Sequence, residues 1–356
     1  MPESPQRSGF SSNSTNSSIF RMERRIGITK PHVYISIPFP EPALERIRSS
    51  CELEVWNGDG EAPRDVLLER VQDVEGLIVD ADRVDAELMD KAPRLKVVSE
   101  YGVGYDNIDA VEASRRSVLV GNTPGVLSET TADLAFALLL AAARRVVEGN
   151  SSVHAGTWGS TLRYGQEVHG ATLGIIGLGR IGKAVAARAK GFGMKLVYYD
   201  IIRQKQAEDE IGIQFMILDD LLTQSDFITI HANLVPETFH LIGPKELDKV
   251  KRTCILVNAS RGPIVDNMAL YAALRDGKML SAALDVTEPE PLPRDHPLLT
   301  LKNIIITPHI GSGTEPARVS MALMAVDNVI AGLKGQLTPG IVNPEVLKRK
   351  HEFSKK

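Results

Sequence analysis

Residues 171–182 read Ala171-Thr172-Leu173-Gly174-Ile175-Ile176-Gly177-Leu178-Gly179-Arg180-Ile181-Gly182, an apolar run that suits a strand, then a G-x-G-x-x-G pattern, then a helical stretch. In that order each glycine has its own task. Gly177 permits the tight turn, Gly179 lets backbone approach a pyrophosphate, and Gly182 allows helix to pack closely on strand. The helix N-terminus adds N–H groups and a dipole that favour phosphate. A bare glycine pattern also serves ordinary turns, but here an acid follows about 20 residues on, the spacing of a dinucleotide fold. It is Asp200, which ends the apolar run Lys195–Tyr199. A carboxylate there accepts ribose hydroxyls and repels a 2′-phosphate, so NAD(H) is favoured. Arg203 keeps NADP(H) open, since its guanidinium suits that phosphate, although a solvated charge at a helix start is the plainer reading.

Outward from this stretch, short β-branched runs alternate with helical ones. His32–Ile37, Glu52–Trp56, Gly76–Val79, Leu95–Ser99 and Val118–Val120 read as a first series of strands. Thr172–Ile176, Lys195–Tyr199, Ile213–Phe215, Phe227–Ile230, Thr253–Val257, Leu280–Leu284 and Ile304–Ile306 read as a second. Such alternation is the signature of βαβ units and parallel sheets. The fold expected is α/β with two doubly wound domains, a flavodoxin-like substrate domain and a Rossmann dinucleotide-binding domain. Between the series, Thr123-Pro124-Gly125 marks a turn, and Leu127–Val147 reads as one long helix capped by Ser128. A last helix, about Glu315–Leu333, follows the second series and is expected to return to the first domain. The domains expected are 30–125 with 316–346 for substrate and 126–315 for NAD(P), with 347–356 as a tail. Residues 1–29, with the polar stretch Ser8–Ser18, are expected to be a disordered extension. Arg7, Arg21, Arg24 and Arg25 among serines would suit a transit peptide, but no amphipathic helix accompanies them, and Met22 leaves a shorter start open.

Composition narrows the partners. The chain has 356 residues, 41 Lys+Arg against 45 Asp+Glu and a net charge of −4, too slight to steer it toward nucleic acid or an anionic membrane. Cys51 and Cys254 are too few for a disulfide framework and lack metal-ligand spacing, so buried thiols in a cytoplasmic protein are expected. The most apolar run, Leu134–Ala143, is far short of the ~20 residues of a membrane span. Small molecules remain as ligands.

Three segments that end later strands carry usable chemistry: Asn258-Ala259-Ser260-Arg261-Gly262, Asp285-Val286-Thr287-Glu288-Pro289-Glu290-Pro291 and Thr307-Pro308-His309-Ile310-Gly311. Ligands in open α/β folds bind at that carboxyl edge. Arg offers a fork matched to a carboxylate, His exchanges a proton near neutral pH, and a carboxylate beside it favours the imidazolium. Arg261, Glu290 and His309 are therefore the catalytic candidates, with Arg261 and His309 also touching substrate. Each has a plain alternative as an ion pair, a loop charge or a capping histidine.

In order and context these segments closely resemble the D-isomer-specific 2-hydroxyacid dehydrogenase family, over about Lys30–Val346. Its members carry the Arg in an N-x-[AS]-R-G turn, the Glu in D-V-x-x-x-E-P and the His in P-H-I-G. Spacing selects Glu290 over its neighbour Glu288. The resemblance implies further that Val103 and Gly104, in Tyr101-Gly102-Val103-Gly104-Tyr105-Asp106-Asn107-Ile108-Asp109, bind the substrate carboxylate through their amides. It implies that Thr131, Arg180, Ile181, Ala259 and Asp285 line the nicotinamide cofactor, Asp285 at its carboxamide end. It also implies a homodimer built on the helix after residue 125. Within the family the likeness is nearest to glyoxylate/hydroxypyruvate reductases and 2-ketogluconate reductases, through Leu284–Pro293, His296–Leu299 and Gly340–Pro344. Three departures stand out. Leu162-Arg163-Tyr164 follows Trp158 where some relatives carry further Trp, His231-Ala232-Asn233-Leu234-Val235 replaces H-x-P-L-T, and Asp200 stands where many relatives place Arg or Asn. The function implied is NAD(P)H-dependent reduction of small 2-keto acids, glyoxylate and hydroxypyruvate foremost, without a metal. A nucleotide-gated scaffold like the related transcriptional corepressors, or a dehydrogenase of another 2-hydroxy acid, is the alternative.

Overall fold

The computed structural model describes residues 30–158 and 164–347. The expected extension 1–29, Leu162, Arg163 and the tail after Leu347 lie outside the described residues. Among the described residues no helix is long and apolar enough to cross a membrane. The chain forms two compact units. One gathers the described residues up to Ser99, Ala110–Val120 and those from Val326 on; the other gathers Glu100–Asp109 and Gly121–Ala325.

The first unit is built on a five-stranded sheet of β1 (His32–Ile35), β2 (Glu52–Val55), β3 (Gly76–Val79), β4 (Val97–Glu100) and β5 (Leu119–Gly121), in the order β2-β1-β3-β4-β5. That is the flavodoxin-like order, and β1 pairs in parallel with both β2 and β3. The C-terminal half of the helix Glu315–Leu333 packs on this sheet at two glycines. A Cβ on Gly76 would lie 2.8 Å from Val329, and one on Gly332 would lie 2.8 Å from Val97. The Gly340–Pro344 ending then pairs with the edge strand: Val342 N–H donates to Val120 O (2.9 Å), and Asn343 Oδ1 accepts from Val120 N–H (2.8 Å).

The second unit holds a seven-stranded sheet of β6 (Thr172–Ile176), β7 (Lys195–Tyr199), β8 (Gln214–Phe215), β9 (Phe227–Ile230), β10 (Ile255–Asn258), β11 (Ser281–Leu284) and β12 (Ile304–Ile306). Its order is β12-β11-β10-β9-β6-β7-β8, a Rossmann order with one added strand. The strand order reverses between β6 and β9, which run parallel with Ile176 opposite Ile230. Their carboxyl ends therefore flank the crevice in which such sheets bind ligands. Every expected strand forms, with ends displaced by no more than two residues.

The long helix does not run as expected. Ser128–Ala143 is helical, the chain breaks at Arg144 and Arg145, and a second helix spans Val146–His154. Arg145 takes a left-handed φ of 56°, which ends the hydrogen-bond ladder. Nor does Ser128 cap the first helix: Leu127 is the N-cap, and no side chain bonds there. The first helix buries Ala132, Ala135, Phe136, Leu138, Leu139, Ala142 and Ala143 in the core of this unit. Full burial of a leucine contributes about 1.5–3 kcal/mol, so packing rather than a cap fixes this helix. Cys51 and Cys254 are buried free thiols, and burial pushes the Cys254 thiol up to about 12.

Candidate functional site

Every residue of the candidate site belongs to the second unit. At the end of β6, Gly177 has φ +90°, and a Cβ there would lie 2.7 Å from the Ala232 amide nitrogen. A Cβ on Gly182 would come within 2.2 Å of Gly177 O, whereas Gly179 has nothing within 4 Å. The first and third glycines are thus demanded by packing, and the second leaves open space. The helix Arg180–Lys190 starts at N-cap Gly179 without a side-chain cap, which leaves the first-turn amides of Arg180 and Ile181 to a ligand. Asp200 follows β7, and its Oδ2 accepts from Leu178 N–H at 2.9 Å, which fixes the carboxylate beside the glycine loop. Open space, amides and carboxylate together suit a pyrophosphate and a ribose diol. A cleft of about 350 Å³ lined by Lys183, Gln204, Lys205, Gln206, Ala207 and Glu210 opens on this side.

Arg261 is held by its own turn. The fully buried Asn258 at the end of β10 donates from Nδ2 to Arg261 O (2.9 Å), and its Oδ1 accepts from Ser260 N–H (3.1 Å). Such local side-chain bonds are why Asn suits a turn. A Cβ on Gly262 would lie 1.9 Å from Thr287 O, so no other residue fits against the segment after β11. The guanidinium donates from Nε to Asp106 Oδ1 (2.9 Å) and from Nη1 to Ser260 O (3.1 Å). Its Nη2 lies against Gly104, where a Cβ would be only 1.7 Å away. The Arg261 fork and the Val103-Gly104 loop are thereby brought together.

His309 Nδ1 and Glu290 Oε1 are 2.6 Å apart. Burial pushes the Glu290 carboxyl up, but the bond from His309, the charge of that ring, the Thr287 N–H and Arg261 outweigh it. The net result lies below the ordinary carboxylate range. His309 itself has φ 52°, a conformation that costs an L-residue roughly 1–2 kcal/mol. Asp285, 2% exposed, supports it. Its carboxylate accepts from Thr307 Oγ1 (2.6 Å), Ile310 N–H (2.9 Å) and Gly311 N–H (2.8 Å), while its carbonyl accepts from His309 N–H (2.9 Å). Thr131, in the helix Ser128–Ala143, meets the same turn, because a Cβ on Gly311 would lie 3.3 Å from Thr131 Cγ2. Ala259, 8% exposed, sits between Asn258 and Ser260 on the Arg261 turn. Among the described residues no group of three or more His, Cys, Asp or Glu could hold a metal ion.

Several contributors escape sequence reasoning. Asp106, one more loop acid by sequence, holds Arg261. Glu288 accepts a 2.6 Å contact from His240 Nε2, and His240 N–H donates to Pro263 O (2.8 Å), tying the segment after β11 to the Arg261 turn. His231 Nε2 is 2.8 Å from Thr229 Oγ1, and enclosure of the ring pushes its imidazole down to about 3 although the residue is partly exposed. It therefore stays neutral at the glycine loop. Arg203 is neither free nor merely solvated: Nε and Nη2 each donate to Glu208 at 2.8 Å.

A family model described as the D-isomer specific 2-hydroxyacid dehydrogenase NAD binding domain matches residues 136–311. The chain is 48% identical to a glyoxylate reductase of Korarchaeum cryptofilum over 90% of this chain and 98% of that protein. Among solved structures it is similar to a protein from Thermus thermophilus, with 45% identity and TM-score 0.81 over 87% of this chain and 99% of that one. It is also similar to an NADPH-dependent glyoxylate/hydroxypyruvate reductase of Sinorhizobium meliloti in complex with NADP and malonate. There the identity is 28% and the TM-score 0.80, over 89% of this chain and 98% of that one.

Proposed function

The chain belongs to the D-isomer specific 2-hydroxyacid dehydrogenase family, an enzyme with an NAD binding domain, and from this we propose that it reduces glyoxylate and hydroxypyruvate to their 2-hydroxy acids with NADH as the favoured cofactor. The observation that carries the reading is the 2.6 Å His309–Glu290 pair on the strand ends that also carry Arg261. Arg261, oriented by Asp106 and Ser260 O, keeps Nη2 and the second Nη1 hydrogen for a substrate carboxylate. The Val103 and Gly104 amides would add donors, since Arg261 Nη2 lies against Gly104. A reduced nicotinamide cofactor held at the glycine loop would supply the hydride. Glu290 fixes the His309 ring through Nδ1, so that Nε2 gives its proton to the substrate carbonyl oxygen as that oxygen becomes an alkoxide. The neutral ring then recovers a proton from water, and in the reverse oxidation it acts as base.

Gly177, Gly179, Gly182, Arg180 and Ile181 would hold the pyrophosphate, Asp200 the ribose, and Thr131, Ala259 and Asp285 the nicotinamide end. We assign NAD(P) binding to 126–315, and substrate binding to 30–125 with 316–346 through Val103 and Gly104, which group with the second unit, beside Arg261 and His309. A second copy of the chain is the partner we assign to the helix Val146–His154, which buries none of its residues and exposes Val146, Val147 and Val153, with Trp158 beyond it 88% exposed. A cytoplasmic setting suits the two buried thiols.

The test is NADH absorbance with millimolar glyoxylate or hydroxypyruvate, on the wild type and on His309→Gln. The variant should bind NADH as the wild type does while losing at least ~100-fold in kcat, as expected for a general acid. Wild-type turnover in the variant would sink the assignment, and no NADH consumption by the wild type would sink the activity.

A further inference from the structure

Arg203 stands three residues beyond Asp200, and its neighbour Gln204 touches the nucleotide loop directly: Nε2 donates to Leu178 O (2.9 Å) and lies 3.4 Å from Asp200 Oδ2. The segment from Asp200 to Gln204 thus wraps the place where a ribose 2′ position would sit. An arginine there is the residue type that pairs with a 2′-phosphate. Its guanidinium is nonetheless drawn toward the sheet edge. Nε and Nη2 both donate to Glu208, at 2.8 Å each, and the carbon of the fork stands 5.7 Å from the ring centre of Phe215 on edge strand β8. The arrangement is braced from below, because the hydroxyl of the fully buried Tyr198 donates to Glu208 Oε1 (2.8 Å) and accepts from Gln204 N–H (2.7 Å). The Arg203 guanidinium, followed by the Tyr198 hydroxyl, holds the Glu208 carboxyl down to about 2 against the small cost of its burial. Glu208 is therefore ionised at any working pH, and protonation of its carboxylate does not release Arg203.

We propose that Glu208 is a cofactor-specificity residue: by keeping Arg203 in a two-pronged pair it withholds a guanidinium placed to accept a 2′-phosphate. Asp200 then rejects NADP(H) by repulsion, and Glu208 rejects it by removing the compensating cation. The inference rests on the NADH reading of the proposed function, and it names the residue that acts through Arg203 to sharpen that choice. Positive charge alone would not discriminate in this way, since Lys183 and Lys205 already line the neighbouring cleft.

The test reads binding rather than turnover. Titration calorimetry of ADP and of 2′,5′-ADP against the wild type, Glu208→Ala, Glu208→Gln and the double variant Glu208→Ala/Arg203→Ala separates the contributions. Releasing Arg203 should tighten 2′,5′-ADP by roughly tenfold, about the equilibrium worth of one charge-assisted hydrogen bond, and leave ADP within about threefold. The double variant should lose the gain. Glu208→Gln keeps an acceptor for Tyr198 and guards against a folding defect, and it should show part of the same gain. No gain in either single variant overturns the proposal, and so does a gain that survives in the double variant, because Lys183 or Lys205 would then be the phosphate partner. A wild type that prefers 2′,5′-ADP from the outset would refute the NADH reading, whereas the Glu208 proposal is judged by the change on releasing Arg203.

Discussion

Asp285 gives the sharpest quantitative consequence of the site. Replacing it with alanine removes the acceptor of two backbone amides and of Thr307 Oγ1 in the turn that carries His309. The Gly311 N–H is buried, and an unsatisfied buried donor costs about 1–3 kcal/mol. The Ile310 N–H is partly buried, so water recovers some of its loss, and the Thr307 hydroxyl can rotate to another acceptor. The sum expected is a loss of about 3 kcal/mol in unfolding free energy. A second effect follows from the torsion. The left-handed φ of His309 stores roughly 1–2 kcal/mol, which those same bonds hold in place. Without them the turn relaxes, the ring swings from Glu290, and a misplacement of about 1 Å at a reacting group costs on the order of 100-fold in rate. Urea unfolding and kcat with glyoxylate should therefore fall together in Asp285→Ala. Asp285→Asn keeps one acceptor oxygen and should lose roughly half as much stability. An alanine variant within about 0.5 kcal/mol of wild type, with altered NADH affinity only, would refute the support role and leave Asp285 a cofactor contact.

Two other outcomes follow from the geometry. The Glu290 carboxyl lies below its unfolded value, so its contribution to stability is fully present above about pH 4.3 and is lost as pH falls through the depressed folded value. The stability gap between wild type and Glu290→Gln, measured by urea unfolding, should hold at neutral pH and narrow below pH ~4; a gap that widens on acidification would contradict the assigned shift. If a second copy covers the helix Val146–His154, sedimentation should give about twice 38.8 kDa, and Val147→Asp should shift it toward the monomer. A wild type that sediments as a monomer at assay concentration would rule this interface out.

The parallel sheets were legible because buried β-strands need runs such as Phe227–Ile230 and Thr172–Ile176, short and apolar between polar helical stretches. The glycine loop was legible for a related reason: two of its three glycines are imposed by contacts near 2–3 Å that any Cβ would violate. The break at Arg144-Arg145 was not, since the apolar pattern continues through Val146 and Val147 and a left-handed arginine has no composition signal. The charged pairs were the least readable part. With 41 cationic and 45 anionic side chains, nothing local says that Arg203 meets Glu208 or that Arg261 meets Asp106. Those pairings depend on which strand ends the topology makes neighbours.

Glu288 and Glu290 show where spacing stops and geometry begins. Spacing preferred Glu290 as the partner of the histidine, yet two glutamates one proline apart are chemically equal. The structure separates them by partner. Glu290 Oε1 meets His309 and its Oε2 accepts from Thr287 N–H (3.3 Å), so one oxygen holds the imidazole and the other anchors the carboxylate to its own loop. Glu288 turns to His240 instead, and its carbonyl accepts from Asn267 Nδ2 (2.9 Å), the first residue of the helix after the Arg261 turn. One residue orients the His309 imidazole and the other ties the segment after β11 to the turn that presents the guanidinium. Removing the first should change the chemical step, whereas removing the second should misalign carboxylate and imidazole together, so the proline-spaced pair links the two halves of the site.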